Sequence, residues 1–206
     1  MHATINTLTA RPTRVLRWRV VDIVVASVIA VASGVVFWAW GQAANPLSAP
    51  VSAVLPGFQG ILNGPWLFAG VLGALVIRKP GAAIFTELVA AIVSALIGTQ
   101  WGALTVLSGV VQGLGVEIVV ALFLYANWSL MVALLAGAGA GIAESILDLT
   151  VWYPGSKIEF IVIYTITTTI SGIVVAGLGS WWLVRALART GALSRFAAGR
   201  EVTGRV

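Results

Sequence analysis

The sequence predicts an all-α integral membrane protein, a six-transmembrane-helix bundle with both termini cytoplasmic. Three observations lead there: the composition, the length of the apolar stretches, and the placement of the basic residues. The 206-residue chain is 59% hydrophobic and only 9% charged, whereas a water-facing surface needs roughly a quarter or more charged side chains. A mean hydropathy of +1.01 points to a bilayer as the solvent. Spanning that bilayer takes about 20 mostly apolar residues, from a hydrocarbon layer of about 30 Å and a rise of 1.5 Å per residue.

Six stretches meet this length: 20–41, 58–77, 81–98, 109–126, 128–150 and 158–187. The first opens after Arg17 and Arg19. The second lies between Pro56-Gly57 and Arg78-Lys79, and the third follows the turn Lys79-Pro80-Gly81. An uncharged connection separates the third from the fourth, and a short one around Asn127 precedes the fifth. The sixth follows Tyr153-Pro154-Gly155 and is long enough to tilt or to emerge. Residues 42–57 read as an outer loop holding three of the seven prolines, able to fold over a cavity as a lid. The expected organisation is a basic cytoplasmic segment 1–19, a membrane domain 20–187 and a basic cytoplasmic tail 188–206. The first apolar run is too long for a signal peptide and lacks a cleavage site.

Of the twelve Lys and Arg residues, four precede the first span, two follow the second and five close the chain, leaving Lys157. An even number of spans puts all but Lys157 on one side, as the positive-inside rule requires. The net charge of +5 therefore reports topology and lipid contact, and nucleic acid is not an expected partner. The expected location is the bacterial cytoplasmic membrane, as a multi-pass protein.

Several chemistries are excluded. Cysteine is absent and the single histidine is His2, which removes disulfides, thiolate chemistry, haem ligation, nearly every zinc site and histidine triads. The two lysines are followed by Pro80 and Ile158, so no phosphate loop of the G-x-x-x-x-G-K-[ST] type exists. An enzyme is not expected, nor a metal or cofactor, and any pumping draws its energy from elsewhere.

Polar groups inside the spans mark candidate sites, because a carboxylate facing lipid near the midplane costs on the order of 3 kcal/mol. Glu87, Glu117 and Glu144 lie in the third, fourth and fifth spans, with Asp148 one turn beyond Glu144. The alternative for each is a neutral acid hydrogen-bonded to a neighbouring helix. Helix directions decide which groups meet. Gln59, Asn63 and Trp66 form one stripe in the outer half of the second span, Gln112 lies near the outer end of the fourth, and Tyr164 on the outer half of the sixth. With Glu117 and Glu144 they can surround one outward-opening cavity, while Glu87 stands apart and reads as structural. Trp66, and Trp101 in the outer connection, are candidates for stacking on a ligand; the other tryptophans read as an interfacial belt. Carboxylates with indole faces suit a flat, nitrogen-rich cation. Ala26, Ala30 and Gly34 make a small-residue strip for close helix approach, either to a partner or within the bundle.

The strings W-R-V-V-D-I-V-V-A-S-V-I-A (18–30), N-G-P-W-L-F-A-G (63–70), R-K-P-G-A-A (78–83) with Glu87, and Q-G-L-G-V-E (112–117) resemble the substrate-binding S subunits of energy-coupling factor (ECF) vitamin transporters, specifically the YkoE type associated with thiamine and hydroxymethylpyrimidine. The resemblance runs from Trp18 to about Trp182. It implies a six-helix subunit that captures the vitamin outside and couples to a transmembrane T subunit and two ATPase subunits, which accounts for the missing phosphate loop. It also implies that Ala26 and Ala30, matching an A-x-x-x-A segment, dock on the T subunit, and that the loop after the first helix covers the ligand. Glu117 is the leading ligand carboxylate by topology and chemistry.

Three other readings remain open: an S subunit for a different vitamin, a proton-coupled secondary carrier for a small cationic solute, in which the glutamates relay protons, and a membrane scaffold or enzyme subunit that binds no small ligand. The carrier reading lacks the two related halves such proteins often show. The topology makes a direct prediction. Cysteines replacing Ser48 and Ser156 will react with a membrane-impermeant thiol reagent in intact cells, and one replacing Ser194 will not; labelling at Ser194 refutes six spans.

Overall fold

The computed structural model describes residues 16–203; His2, Arg11, Arg14 and Arg205 lie outside the described residues, and with them parts of the expected segments 1–19 and 188–206. The chain forms α1 (Val20–Val54), a 3₁₀ segment (Phe58–Trp66), α2 (Phe68–Ile77), α3 (Ala82–Ile97), α4 (Leu104–Leu122), α5 (Leu130–Val151), α6 (Ile158–Ser171), a π-helical stretch (Gly172–Gly179), α7 (Ser180–Arg189) and α8 (Ala197–Thr203). Every regular element among the described residues is helical. Five helical stretches are long and apolar enough to cross a bilayer, and the shorter apolar Ala82–Ile97 completes the six. The second span is the 3₁₀ segment with α2, and the sixth runs unbroken from α6 through the π stretch into α7.

The most visible departure from the sequence reading is α1. Residues 42–54, expected as a loop, continue the helix through Pro46 and Pro50, giving 35 residues and a length of about 52 Å. A proline inside a helix removes one N–H bond and frees the carbonyl four residues earlier. Four apart, Pro46 and Pro50 fall on one face, and both are exposed, so the disruption is turned away from the packed side.

Two devices tie the basic end together. Asp22, buried at the start of α1, accepts the Lys79 ammonium and the Arg19 guanidinium, and Arg19 N–H donates to its Oδ2 at 2.7 Å. Trp18 Nε1 donates to the Pro80 carbonyl at 2.9 Å, so the turn between α2 and α3 is fastened to the entry of α1. Glu117 supplies the second device. It accepts the backbone N–H of Gly81 at 2.6 Å and of Ala83 at 3.1 Å, satisfying the otherwise unpaired donors at the start of α3. Tyr125 completes the arrangement by donating its hydroxyl to Glu117 at 2.8 Å. Burial, then the Glu117 hydrogen bond and charge, push the Tyr125 phenol up to about 12, so it remains a donor at neutral pH.

The small-residue strip of α1, Ala26, Ala30 and Gly34, expected either to dock a partner or to pack within the bundle, faces inward in this structure. Ala26 and Ala30 are 0% exposed, and a Cβ on Gly34 would stand 2.6 Å from the Ala90 carbonyl oxygen and the Val93 Cβ of α3. The strip lies in the α1–α3 contact. What α1 presents outward is Val24, Val28, Val31 and Val35. Replacing Gly34 with Val will therefore overpack α1 against α3, costing about 1–3 kcal/mol and lowering the thermal midpoint of the purified protein in detergent. Val28→Ala on the exposed face will leave that midpoint nearly unchanged.

Candidate functional site

The 3₁₀ segment is where the site begins. Gly57, Gly60 and Gly64 lie against α6, and a Cβ on Gly60 would stand 2.8 Å from the Tyr164 carbonyl oxygen. This proximity lets α6 side chains pair with the irregular backbone. Ser171 Oγ accepts Gly64 N–H at 2.9 Å and donates to the Ile61 carbonyl at 2.6 Å, while Thr167 Oγ1 donates to the Gly57 carbonyl at 3.1 Å. Thus fastened, the segment turns Gln59, Asn63 and Trp66 into the bundle.

There they face a cavity of about 360 Å³, a size within the range of small-molecule sites. Its wall includes Gln59, Asn63 and Trp66, Trp101 from the connection between α3 and α4, Gln112 of α4, Glu144 and Asp148 of α5, and Tyr164 of α6. Seven of the eight candidate ligand-binding residues therefore meet here, at the end of the bundle opposite the basic turns. The eighth, Glu117, does not. It lies at the basic end, engaged with Gly81, Ala83 and Tyr125. The displacement has a simple origin: α4 starts at Leu104, five residues earlier than the sequence suggested, which puts Glu117 about 20 Å along the helix from its outer end.

The two cavity carboxylates differ in their surroundings. Asp148 accepts the Tyr164 hydroxyl and the Asn63 amide at 3.3 Å, and the same amide reaches the Tyr164 oxygen at 2.9 Å. This triangle joins the 3₁₀ segment, α5 and α6. Glu144, one turn away, faces Gln112 and Ser108 of α4, yet its Oε2 is buried with no hydrogen-bond partner. A buried acceptor left unpaired is costly; this oxygen is shielded from solvent, while the residue Glu144 lines the cavity. Glu87 also has an unpaired oxygen, Oε1, but Glu87 is 0% exposed. Its other oxygen accepts Gly70 N–H, and it does not line the cavity.

Aromatic groups flank the carboxylates on two sides. Trp66 packs edge-on against Trp101, with ring centroids 5.2 Å apart, and its Nε1 is spent on the Phe37 carbonyl at 3.0 Å. On the other side Tyr153 sits 5.3 Å from Tyr164. Trp152 and Tyr153, read as an interfacial residue and part of a turn, line the cavity, as do Asn45 and Ser48 of the α1 extension. Gln100 donates to Asn45 at 2.6 Å, joining that extension to the connection carrying Trp101. The sequence places Asn45 and Ser48 in a loop able to cover a cavity; they reach the wall as helix. Among the described residues no basic side chain lines the cavity, and no group of three or more His, Cys, Asp or Glu is able to hold a metal ion.

With this geometry established, comparison with known proteins gives three findings. The family described as "ABC-type cobalt transport system, permease component" matches residues 21–143. The chain is 36% identical over 189 residues to the "Putative HMP/thiamine permease protein YkoE" of Bacillus subtilis (strain 168), covering 90% of this chain and 92% of that protein. A crystal structure described as an S-component of an ECF transporter superposes with a TM-score of 0.84 at 34% identity, covering 92% of this chain and 95% of the other. Identity at this level over nearly the whole length, with the same helical arrangement, shows that the chain belongs to the family of ECF transporter S components that includes YkoE, and that it is a multi-pass transport protein of the cytoplasmic membrane.

Proposed function

We propose that the cavity captures thiamine or its hydroxymethylpyrimidine precursor from the outer face, for ATP-driven uptake by a transmembrane T subunit and two ATPase subunits. The observation that carries the reading is a cavity wall on which two carboxyl groups, Glu144 and Asp148, stand together with Trp66, Trp101 and Tyr153. An aminopyrimidine is flat, carries an exocyclic amine and can share a proton through a ring nitrogen, so it supplies donors to such carboxyl groups. Trp66, Trp101 and Tyr153 offer ring surfaces for stacking. Gln59, Asn63, Gln112 and Tyr164 provide the remaining polar contacts, and the name of the YkoE relative agrees with this ligand class. Glu117, first in line by sequence, has no part in binding. A cobalt cargo, by contrast, would find carboxylate and amide oxygens but no imidazole or thiolate on the wall.

Purified without added vitamin and titrated with thiamine under tryptophan fluorescence, the protein will show saturable binding. Replacing Glu144 with Gln exchanges a carboxyl oxygen for an amide N–H₂ at nearly constant size. A charge-assisted hydrogen bond is worth roughly 1.5–3 kcal/mol, so affinity will fall about tenfold to a hundredfold. Glu117→Gln will leave affinity within about twofold while lowering thermal stability by about 1–2 kcal/mol, the cost of a weakened helix cap. Unaltered binding by both Glu144→Gln and Asp148→Asn eliminates a carboxylate-based pocket. A second titration tests charge selection: thiamine monophosphate places an anion in a cavity with two carboxylates and no cation, and it will bind more weakly than thiamine.

A further inference from the structure

A second cavity, of about 430 Å³, opens at the basic end of the bundle, far from the vitamin site. We propose that it seats the phosphate headgroup of an anionic phospholipid. Its polar wall carries two guanidinium groups, each laid over an indole. The Arg185 Cζ lies 4.4 Å from the Trp181 ring centroid, and the Arg78 Cζ lies 5.6 Å from that of Trp128. Stacking of this kind orients a guanidinium while leaving its N–H edge available.

The two arginines are not equivalent. Arg78 is gripped by Glu201 through paired contacts of 2.6 and 2.9 Å, the two-pronged geometry that carboxylate and phosphate share. Arg185 pairs with no carboxylate among the described residues. Among the described lining residues, two cations and one anion sum to +1, which a phosphodiester of charge −1 neutralises. A further attraction comes from α5, a 22-residue helix whose N-cap, Ser129, lines the cavity and makes no side-chain cap hydrogen bond. The first-turn N–H groups there favour an anion.

The lipid source follows from the rest of the wall. Leu75, Leu130 and Val184 form an apolar side, and the neighbouring Trp182 is 61% exposed, as suits an indole at the membrane interface. A headgroup between Arg185 and the start of α5 would leave its glycerol and acyl portions against this apolar surface. Basic pockets between membrane helices are recognised seats for anionic headgroups. The site is independent of the vitamin cavity, and its test does not use the vitamin.

Native mass spectrometry of the full chain, released from detergent after titration with phosphatidylglycerol or with phosphatidylcholine of matched acyl chains, tests the assignment. Phosphatidylglycerol will be retained about tenfold better than phosphatidylcholine. Arg185→Gln will abolish the preference, whereas Arg195→Gln, an exposed residue of the same end that lies outside the cavity, will keep it. Thermal midpoints measured in phosphatidylcholine establish that both variants are folded, and Arg185→Lys will restore part of the preference by restoring charge without the planar fork. Equal retention of the two lipids, survival of the preference in Arg185→Gln, or equal loss in Arg195→Gln overturns the site. Displacement of phosphatidylglycerol by millimolar inorganic phosphate also overturns it, in favour of a soluble anion.

Discussion

The pairing of the 3₁₀ segment Phe58–Trp66 with α6 is the contact on which the cavity depends. Backbone that departs from α-helix within a bilayer must find its hydrogen bonds inside the protein, because lipid supplies none. Here Ser171 and Thr167 supply them, and they can do so because glycines at 57, 60 and 64 bring the two backbones together. At Gly57 the requirement is doubled: its φ of +94° is a conformation that side-chain-bearing residues rarely adopt, and a Cβ would stand 2.9 Å from the Phe160 carbonyl oxygen. The reward is a rigid wall that presents Asn63 to Asp148 and Tyr164, and Trp66 to Trp101. A regular α-helix in the same place would have needed none of these hydroxyls and would have directed different side chains inward.

The carboxylates of the spans divide by the donors they meet. Asp22 meets Lys79 and Arg19, Glu87 meets the Gly70 N–H, and Glu117 meets the N–H groups opening α3. Each ties one helix to another, and together they join α1, α2, α3 and α4. The strings that resemble the S-subunit family are the same ones that hold these pairs: Asp22 with Lys79, Gly70 with Glu87, Gly81 and Ala83 with Glu117. Much of the resemblance therefore records the scaffold rather than the binding wall. Asn63, Trp66 and Gln112 are the exceptions, lying in those strings and on the cavity.

Helix number, the side carrying the basic turns and the stripe Gln59, Asn63 and Trp66 were legible because each follows from length, charge or spacing. Glu117 was not. Its role depends on where the backbone of a different helix begins, and no periodicity within α4 reports that. A misplaced helix start of five residues was enough to carry it from the basic end to the supposed pocket. Ala26 and Ala30 carry another ambiguity: a smooth strip packs equally well on a neighbouring helix of the same chain or on a partner, and in this structure it lies against α3. Pro46 and Pro50 looked like terminators, but their shared exposed face makes them tolerable in a continuing helix. That continuation brings Asn45 and Ser48 to the cavity, so the segment read as a loop still contributes to the wall as helix.

The distribution of charge gives the binding reading its physical direction. Cations gather at one end, where Arg78 and Arg185 stand beside Trp128 and Trp181, while the cavity at the other end holds two carboxylates and no cation. A carboxyl group removed from water without a partner is unfavourable by several kcal/mol, and Asp148 offsets this with Tyr164 and Asn63. On the proposed reading, a ligand that donates to these two carboxyl groups gains bonds that a molecule of the same shape without donors does not, and an anion finds no cation among the described residues of the wall. On the same reading, selectivity for a flat cationic or amine-bearing ligand arises from the Glu144 and Asp148 carboxyl groups beside the indole rings, with the scaffold carboxylates holding that wall in place.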